Sequence, residues 1–193
     1  ITPDYIVEEM SCEGCGVCVW NCPEGAISFT PRDSGECYIS TTRYGDMVHA
    51  RLHPGEENSG KLVTQVRRVA RDMGVEKGVD ILLVDGPPGV GCPVIAAIGG
   101  ADLLVVVTEP TRSAIHDMER VIQLARHFSV PVGVCINKDD LNEEMAQDIA
   151  EFCLREELPL LGKIAYSEEL VAAQVQGKTI IELDSAGPEF QLL

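Results

Sequence analysis

The chain has 193 residues, which is enough for one α/β domain with a full hydrophobic core and a small appended module. Its 15 Lys and Arg residues against 31 Asp and Glu residues give a net charge of −16, which repels nucleic acids and anionic membrane surfaces. No apolar run is long enough to span a bilayer, and residues 1–10 lack a signal-peptide pattern. We therefore expect a cytoplasmic protein that binds neither nucleic acid nor a membrane.

A run of four cysteines is the first element in chain order. Cys12, Cys15, Cys18 and Cys22 follow the pattern C-x₂-C-x₂-C-x₃-C-P, which is the spacing of ferredoxins that hold a 4Fe–4S cluster. Zinc sites usually pair two C-x₂-C units across a longer spacer, so the spacing favours iron–sulfur over zinc. We predict a ferredoxin-like module over residues 1–35, with these four cysteines as metal ligands.

The fourth ligand of this site has more than one interpretation. In two-cluster ferredoxins the last cysteine of such a run ligates the other cluster, so Cys22 would then serve a second cluster whose remaining ligands are absent from this sequence. Cys37 is an alternative fourth ligand, although a free cysteine in a hairpin is the simpler interpretation. The ligand count predicts no more than one cluster on this chain.

Residues 36–53 alternate between apolar and polar side chains, which predicts a β-hairpin with its turn at Tyr44–Asp46. The next segment contains Gly55-x-x-x-x-Gly60-Lys61, the skeleton of a phosphate-binding P-loop. Leu62 stands where that motif needs a hydroxyl for Mg²⁺, and the preceding strand is not solidly apolar. We therefore predict an ordinary helix from Ser59 to Met73. Asn58 or Ser59 would cap it, and Leu62, Val63, Val66 and Val69 would face inward.

From residue 80 onward, solidly apolar β-branched runs alternate with helical segments. The predicted strands are 80–85, 102–108, 131–137 and 160–165, and the predicted helices lie near 93–99, 112–127, 142–156 and 167–177. This alternation predicts an α/β fold with a mostly parallel sheet, helices on both faces and right-handed crossovers. We assign residues 36–193 to this domain.

Two polar motifs follow predicted strands. Asp85 ends the first strand and precedes a turn rich in glycine and proline, where a Walker B acid orients Mg²⁺, although an Asp can also simply cap a turn. Asn137 and Lys138 end the third strand, the place where P-loop NTPases read the base. We predict Asp85 as a catalytic residue. The predicted nucleotide-binding residues are Gly86, Pro87, Pro88, Gly89, Asn137 and Lys138.

Five segments together resemble the MinD/ParA superfamily of P-loop ATPases, in the subgroup with an inserted ferredoxin module. They are "ENSGKLV", "ILLVDGPPGVGCPV", "LLVVVTEPT", "VGVCINKDD" and "LLGKIAYSEELVAAQVQGK". The resemblance implies ATP and Mg²⁺ as ligands of the complete protein, a homodimer, and ATP binding and hydrolysis coupled to electron transfer through the 4Fe–4S cluster to a redox partner. The alternative is an iron–sulfur carrier or assembly scaffold.

The resemblance also implies what is missing. That subgroup begins with a strand, a deviant Walker A loop and a first cysteine run, none of which is in these 193 residues, so we expect this chain alone to be inactive as an ATPase. In the superfamily the phosphate-loop strand lies between the strands that end at Asp85 and Thr108. We expect a separate segment or a neighbouring copy to fill that gap, or residues 81–85 to pair directly with 103–107.

Three positions depart from the family pattern or extend it. The chain ends in an acidic segment, residues 180–193, where MinD has a basic amphipathic membrane helix. Ala165 replaces a proline that is common near the adenine. Cys92 lies where the related nitrogenase iron protein has a cluster ligand, although an inert cysteine at a helix start is the simpler interpretation.

Overall fold

The computed structural model describes residues 1–8, 12, 14–30, 33–56, 60–179 and 182. The chain forms two compact units, Ile1–Asp85 and Gly86–Leu193. The predicted functional boundary after residue 35 stays a prediction. The acidic segment 180–193 lies outside the described residues except for Glu182.

The first unit contains a short helix, a β-hairpin and a long helix. Their bounds are α1 Val17–Trp20, β1 Gly35–Thr42, β2 Gly45–Leu52 and α2 Gly60–Lys77. The two strands pair antiparallel from Gly35↔Leu52 to Thr42↔Gly45, which confirms the hairpin. The connecting residues are Arg43 and Tyr44, so the turn lies slightly earlier than predicted. Gly45 has a φ of 136°, a value that favours glycine.

Helix α2 packs against β2. Its predicted inward residues, Leu62, Val63, Val66 and Val69, are half-buried. The Lys77 ammonium near its end donates to Asp46 at the start of β2, and the Thr41 hydroxyl donates to the same carboxylate at 3.1 Å. The predicted capping residues Asn58 and Ser59 lie outside the described residues. β2 is a hairpin strand, not the buried parallel strand that a P-loop follows, which supports the interpretation of Gly60–Lys61 as an ordinary helix start.

The second unit is an α/β layer structure. Its elements are α3 Cys92–Ile98, β3 Leu104–Thr108, α4 Arg112–His127, β4 Val132–Asn137, a 3₁₀ turn Asp139–Leu141, α5 Glu143–Arg155, β5 Leu160–Ile164 and α6 Glu168–Val175. Strands β3, β4 and β5 form a parallel sheet in that order. The α/β fold is therefore confirmed. No helix in the described part of the chain is long and apolar enough to cross a membrane.

The hydrophobic core of this unit lies on one face of the sheet. Val106, Val134 and Ile136 point to that face and join a cluster with helix residues. The most deeply buried helix residues in the cluster are Ile98, Met118, Ile122, Ala125, Ile149 and Cys153. β4 is buried along nearly its whole length because it has a strand on each side.

The prediction of a strand at residues 80–85 is wrong. Residues 81–87 adopt no regular secondary structure, and Ile81 and Leu83 are 83% and 91% exposed. The expected pairing of 81–85 with 103–107 is also not formed, because among the described residues β3 pairs with β4 alone. An apolar β-branched sequence forms a strand only where a neighbouring strand accepts its backbone hydrogen bonds. This segment has no such neighbour in the described sheets.

Candidate functional site

The cysteine run lies around the short helix α1. Cys12 and Cys15 are exposed, whereas Cys18 within the helix and Cys22 just after it are half-buried. Gly16 caps the helix at φ 76°, and the Trp20 ring lies over it, so a Cβ at this position would meet ring atoms at 3.0 to 3.3 Å. Glycine is required here both by the left-handed backbone and by the close approach of the ring.

The chain after Cys22 folds back around its sulfur. Backbone N–H groups, first that of Ala26 and then that of Glu24, donate hydrogen bonds that lower the pKa of the Cys22 thiol. Gly25, at φ 59°, allows this tight turn, and its own N–H donates to the Cys22 carbonyl at 3.2 Å. Such donors stabilise a thiolate, which is the form that ligates metal.

The donor set fits an iron–sulfur cluster in its chemistry. All four cysteines are free of disulfides, they keep ferredoxin spacing, and the pKa of the Cys22 thiol is lowered by backbone N–H groups. The structure does not bring them into a closed ligand set, because no group of three or more His, Cys, Asp or Glu side chains in the described residues is placed to hold a metal ion. Neither Cys37 on β1 nor Cys92 in α3 joins such a group; both are exposed.

The predicted Mg²⁺-binding acid and the turn that follows it lie outside the helices and strands. Asp85 is exposed and is the last residue of the first unit. The turn from Gly86 to Gly89 begins the second unit, and Gly89 has a φ of 86° before α3 starts. The assignments of Asp85, Gly86, Pro87, Pro88 and Gly89 stay predictions.

The predicted base-reading residues lie at the carboxyl edge of the sheet. Asn137 is the last residue of β4 and is half-buried. Lys138 follows it in the left-handed conformation, with φ 55° and ψ 43°. The Lys138 ammonium contacts the Glu109 carboxylate, just past the end of β3, at 2.7 Å. The ends of two adjacent parallel strands are thus joined by an ion pair beside Asn137.

A second contact joins the same loop to the next strand. The Asp140 carboxylate accepts a hydrogen bond of 2.7 Å from the backbone N–H of Tyr166, just past β5. At the end of β3, Thr108 is 4% exposed and its hydroxyl has no hydrogen-bond partner among the described residues. A buried unsatisfied hydroxyl is rare enough in proteins to mark this edge as unusual.

Sequence reasoning missed Glu109, Asp140 and Thr108. The signal that could have found Glu109 was available, because it follows one strand as Asn137 follows the next, and the carboxyl ends of neighbouring parallel strands meet at one edge. The same signal applied to Asp140 and Tyr166, which follow β4 and β5 and are joined by a hydrogen bond.

Two family comparisons cover most of the chain. Residues 60–192 match the ParA family, described as NUBPL iron-transfer P-loop NTPase. Residues 5–28 match the 4Fe-4S binding domain, which includes all four cysteines of the run.

Individual relatives agree with the family match. An uncharacterized protein of Methanocaldococcus jannaschii is 34% identical over 139 residues, which are 72% of this chain and 49% of that protein. The septum site-determining protein MinD of Bacillus subtilis is 26% identical over 75% of this chain and 56% of its own length. The MinD cell division protein of Aquifex aeolicus has a similar fold, with a TM-score of 0.59 and 21% identity, covering 80% of this chain and 64% of that one.

The chain spans about half the length of the curated relatives it matches. The matched regions contain the cysteine run at one end and the β3–β5 sheet with its polar carboxyl edge at the other. From these matches, the chain belongs to the ParA family of P-loop NTPases and carries an N-terminal 4Fe–4S binding domain.

Proposed function

We propose that the protein couples ATP binding and hydrolysis to electron transfer through a 4Fe–4S cluster, acting as a homodimer on a redox partner. The observation that carries this proposal is the presence in one chain of a 4Fe–4S binding domain over residues 5–28 and of a match to a P-loop NTPase family over residues 60–192. Backbone N–H groups lower the pKa of the Cys22 thiol, and such donors are one of the means by which proteins set a cluster's reduction potential.

The cysteine run supplies the ligands in this proposal. Cys12, Cys15 and Cys18 would hold the cluster, with Cys22 as the fourth ligand. When bound, the cluster supplies one-electron chemistry. The protein's own contribution is the turn at Gly25, which directs N–H groups at the Cys22 sulfur, and the Trp20 ring, which covers Gly16 on the same short helix.

In this proposal the carboxyl edge of the β3–β5 sheet supplies the contact with the base, and the segment around Asp85 supplies the contacts with Mg²⁺ and phosphate. Asn137 would hydrogen-bond the adenine, Asp85 would orient Mg²⁺, and the turn from Gly86 to Gly89 would respond to the γ-phosphate. The family match to a P-loop NTPase over residues 60–192 supports this part of the proposal. The Lys138–Glu109 ion pair supports it as well, since it brings two strand ends together at the edge where such folds bind ligands.

A second candidate is transfer of iron or of the cluster to another protein. The description of the matching family as iron-transfer favours it. The exposure of Cys12 and Cys15 favours it too, because solvent-accessible thiolates exchange metal more readily than buried ones.

A redox measurement on the full-length product of the gene that encodes this chain tests the proposal. After anaerobic reconstitution, the reduction potential of the cluster is measured with and without Mg²⁺ and ATP. We expect the potential to change on nucleotide addition and the cluster to survive treatment with a chelator. We also expect iron and sulfide analysis of this chain to give no more than one cluster.

Two variants and one acceptor assay complete the test. Cys22→Ala should lose most bound iron, whereas the matched Cys37→Ala should keep it, because Cys37 lies exposed on β1. A potential that does not respond to ATP, together with rapid cluster transfer to an apo-ferredoxin, would favour the carrier. Two intact clusters on this chain would contradict the ligand assignment.

A further inference from the structure

We propose that Glu109 and Asp140 are positioning residues that hold the loop after β4 in the conformation that presents Asn137 to a nucleobase. This inference rests on the proposed nucleotide binding and adds to it two residues that act through the loop. The loop runs from Lys138 to Leu141. We call the contacts that Glu109 and Asp140 make its two anchors.

The loop has a backbone conformation that needs support. Lys138 is left-handed at φ 55°, a backbone region that disfavours residues with a Cβ. The next three residues form a 3₁₀ turn in which the Leu141 N–H donates to the Lys138 carbonyl at 3.1 Å. Such strained residues persist where the surrounding contacts fix them, and they concentrate at functional sites.

The two anchors hold the loop from opposite sides. On the β3 side, Glu109 contacts the Lys138 ammonium at 2.7 Å, and both side chains are partly exposed. On the β5 side, Asp140 accepts from the Tyr166 N–H at 2.7 Å. β4 lies between β3 and β5 in the sheet, so the loop that follows β4 is fixed to both of its neighbours.

The position of Asn137 follows from this arrangement. It is the last residue of β4, paired with Ile164 of β5, so its backbone is fixed by the sheet. The chain changes direction immediately after it because Lys138 is left-handed, and Asn137 itself is half-buried at this edge of the sheet. If Lys138 adopted a right-handed or extended backbone instead, residues 138–141 would follow a different path past Asn137.

A hydrogen-exchange experiment on this chain tests the anchors without any nucleotide. We expect Glu109→Gln and Asp140→Ala each to speed exchange of the Leu141 amide by about fivefold, the effect of losing an ion pair or a hydrogen bond worth about 1 kcal/mol. Asp140→Asn keeps an oxygen acceptor for the Tyr166 N–H and should restore slow exchange. Glu151→Gln, on the exposed side of α5, is the matched control and should change nothing in this loop.

Equilibrium binding on the full-length gene product tests the functional consequence. The probes are ATP, GTP and inorganic tripolyphosphate, which has no base. We expect Glu109→Gln and Asp140→Ala to weaken ATP binding about fivefold and to reduce the preference for ATP over GTP, while tripolyphosphate affinity is unchanged. In a Lys138→Met background, Glu109→Gln should have no further effect, because its partner is gone.

The outcomes separate this inference from the proposed function. If the wild-type protein binds no ATP, the proposed function fails and the inference fails with it. If the wild type binds ATP but the variants keep its affinity and its preference for ATP over GTP, only the inference is overturned. An equal loss of ATP and tripolyphosphate affinity would also overturn it, since that loss would indicate a general effect on the fold or the charge.

Discussion

The eight cysteines differ sharply in environment. Cys135 on β4 and Cys153 on α5 are buried, and burial raises the pKa of both thiols. Cys37 and Cys92 are exposed. A thiol reacts as its thiolate, so a buried thiol with a raised pKa is doubly protected, by lack of access and by protonation at neutral pH.

We therefore expect a clear order of reactivity toward iodoacetamide. In the native chain Cys37 and Cys92 should be modified readily, and Cys135 and Cys153 only after addition of denaturant. Peptide mass spectrometry over a time course gives the rate for each residue. Native modification of Cys153 as fast as that of Cys37 would contradict its place in the core.

At the scale of elements, the hairpin and α2 are joined by a carboxylate that responds to pH. The Lys77 ammonium, followed by the Thr41 hydroxyl, lowers the pKa of Asp46 below its ordinary value of 3.8. A carboxyl group with a depressed folded-state pKa stabilises the fold above its unfolded-state pKa. That contribution is lost as the pH falls through the folded-state value.

Acid should therefore loosen the contact between β2 and α2. We expect the midpoint of urea unfolding to fall between about pH 4 and about pH 2, and to fall less in Lys77→Met, which lacks the main cause of the shift. Lys61→Met, at the other end of α2, serves as the control and should follow the wild-type curve. Parallel pH curves for wild type and Lys77→Met would show that the ion pair has no influence on folding.

The elements predicted correctly from the sequence are those that the pattern of apolar residues within one segment is enough to identify. Strands β3, β4 and β5 were predicted from apolar β-branched runs, and the helices between them from helical periodicity. Residues 80–85 have the same composition and form no strand, because strand formation depends on a neighbour that composition does not reveal. Glu109 was missed although its place after β3 could be read from the sequence, because the sequence does not show which of the polar residues after neighbouring strands pair with one another.

At the scale of the whole molecule, the predicted nucleotide-binding residues stand in a sequence without a recognised phosphate loop. Leu62 lacks the hydroxyl that a P-loop offers to Mg²⁺, and Gly60 and Lys61 begin the ordinary helix α2. Asp85 is therefore an acid without a recognised set of backbone N–H donors for the phosphates.

We expect residues 1–193 alone to hydrolyse ATP at the rate of the buffer blank, as measured by phosphate release. Positioning supplies much of the catalysis of phosphoryl transfer, and it requires the phosphate loop. Lys61→Ala and Asp85→Ala should be indistinguishable from the wild-type chain. Measurable activity that Asp85→Ala abolishes and Lys61→Ala preserves would refute this expectation.

The open side of β3 bears on the handling of the isolated chain. Among the described residues β3 has a strand on one side only, and Val105 and Val107 face solvent. An exposed apolar edge strand can be extended by a strand of another molecule, which is a common route to aggregation. The strong negative charge of −16 opposes such association at low ionic strength, and added salt screens that repulsion. We therefore expect this chain to stay dispersed in dilute, low-salt buffers.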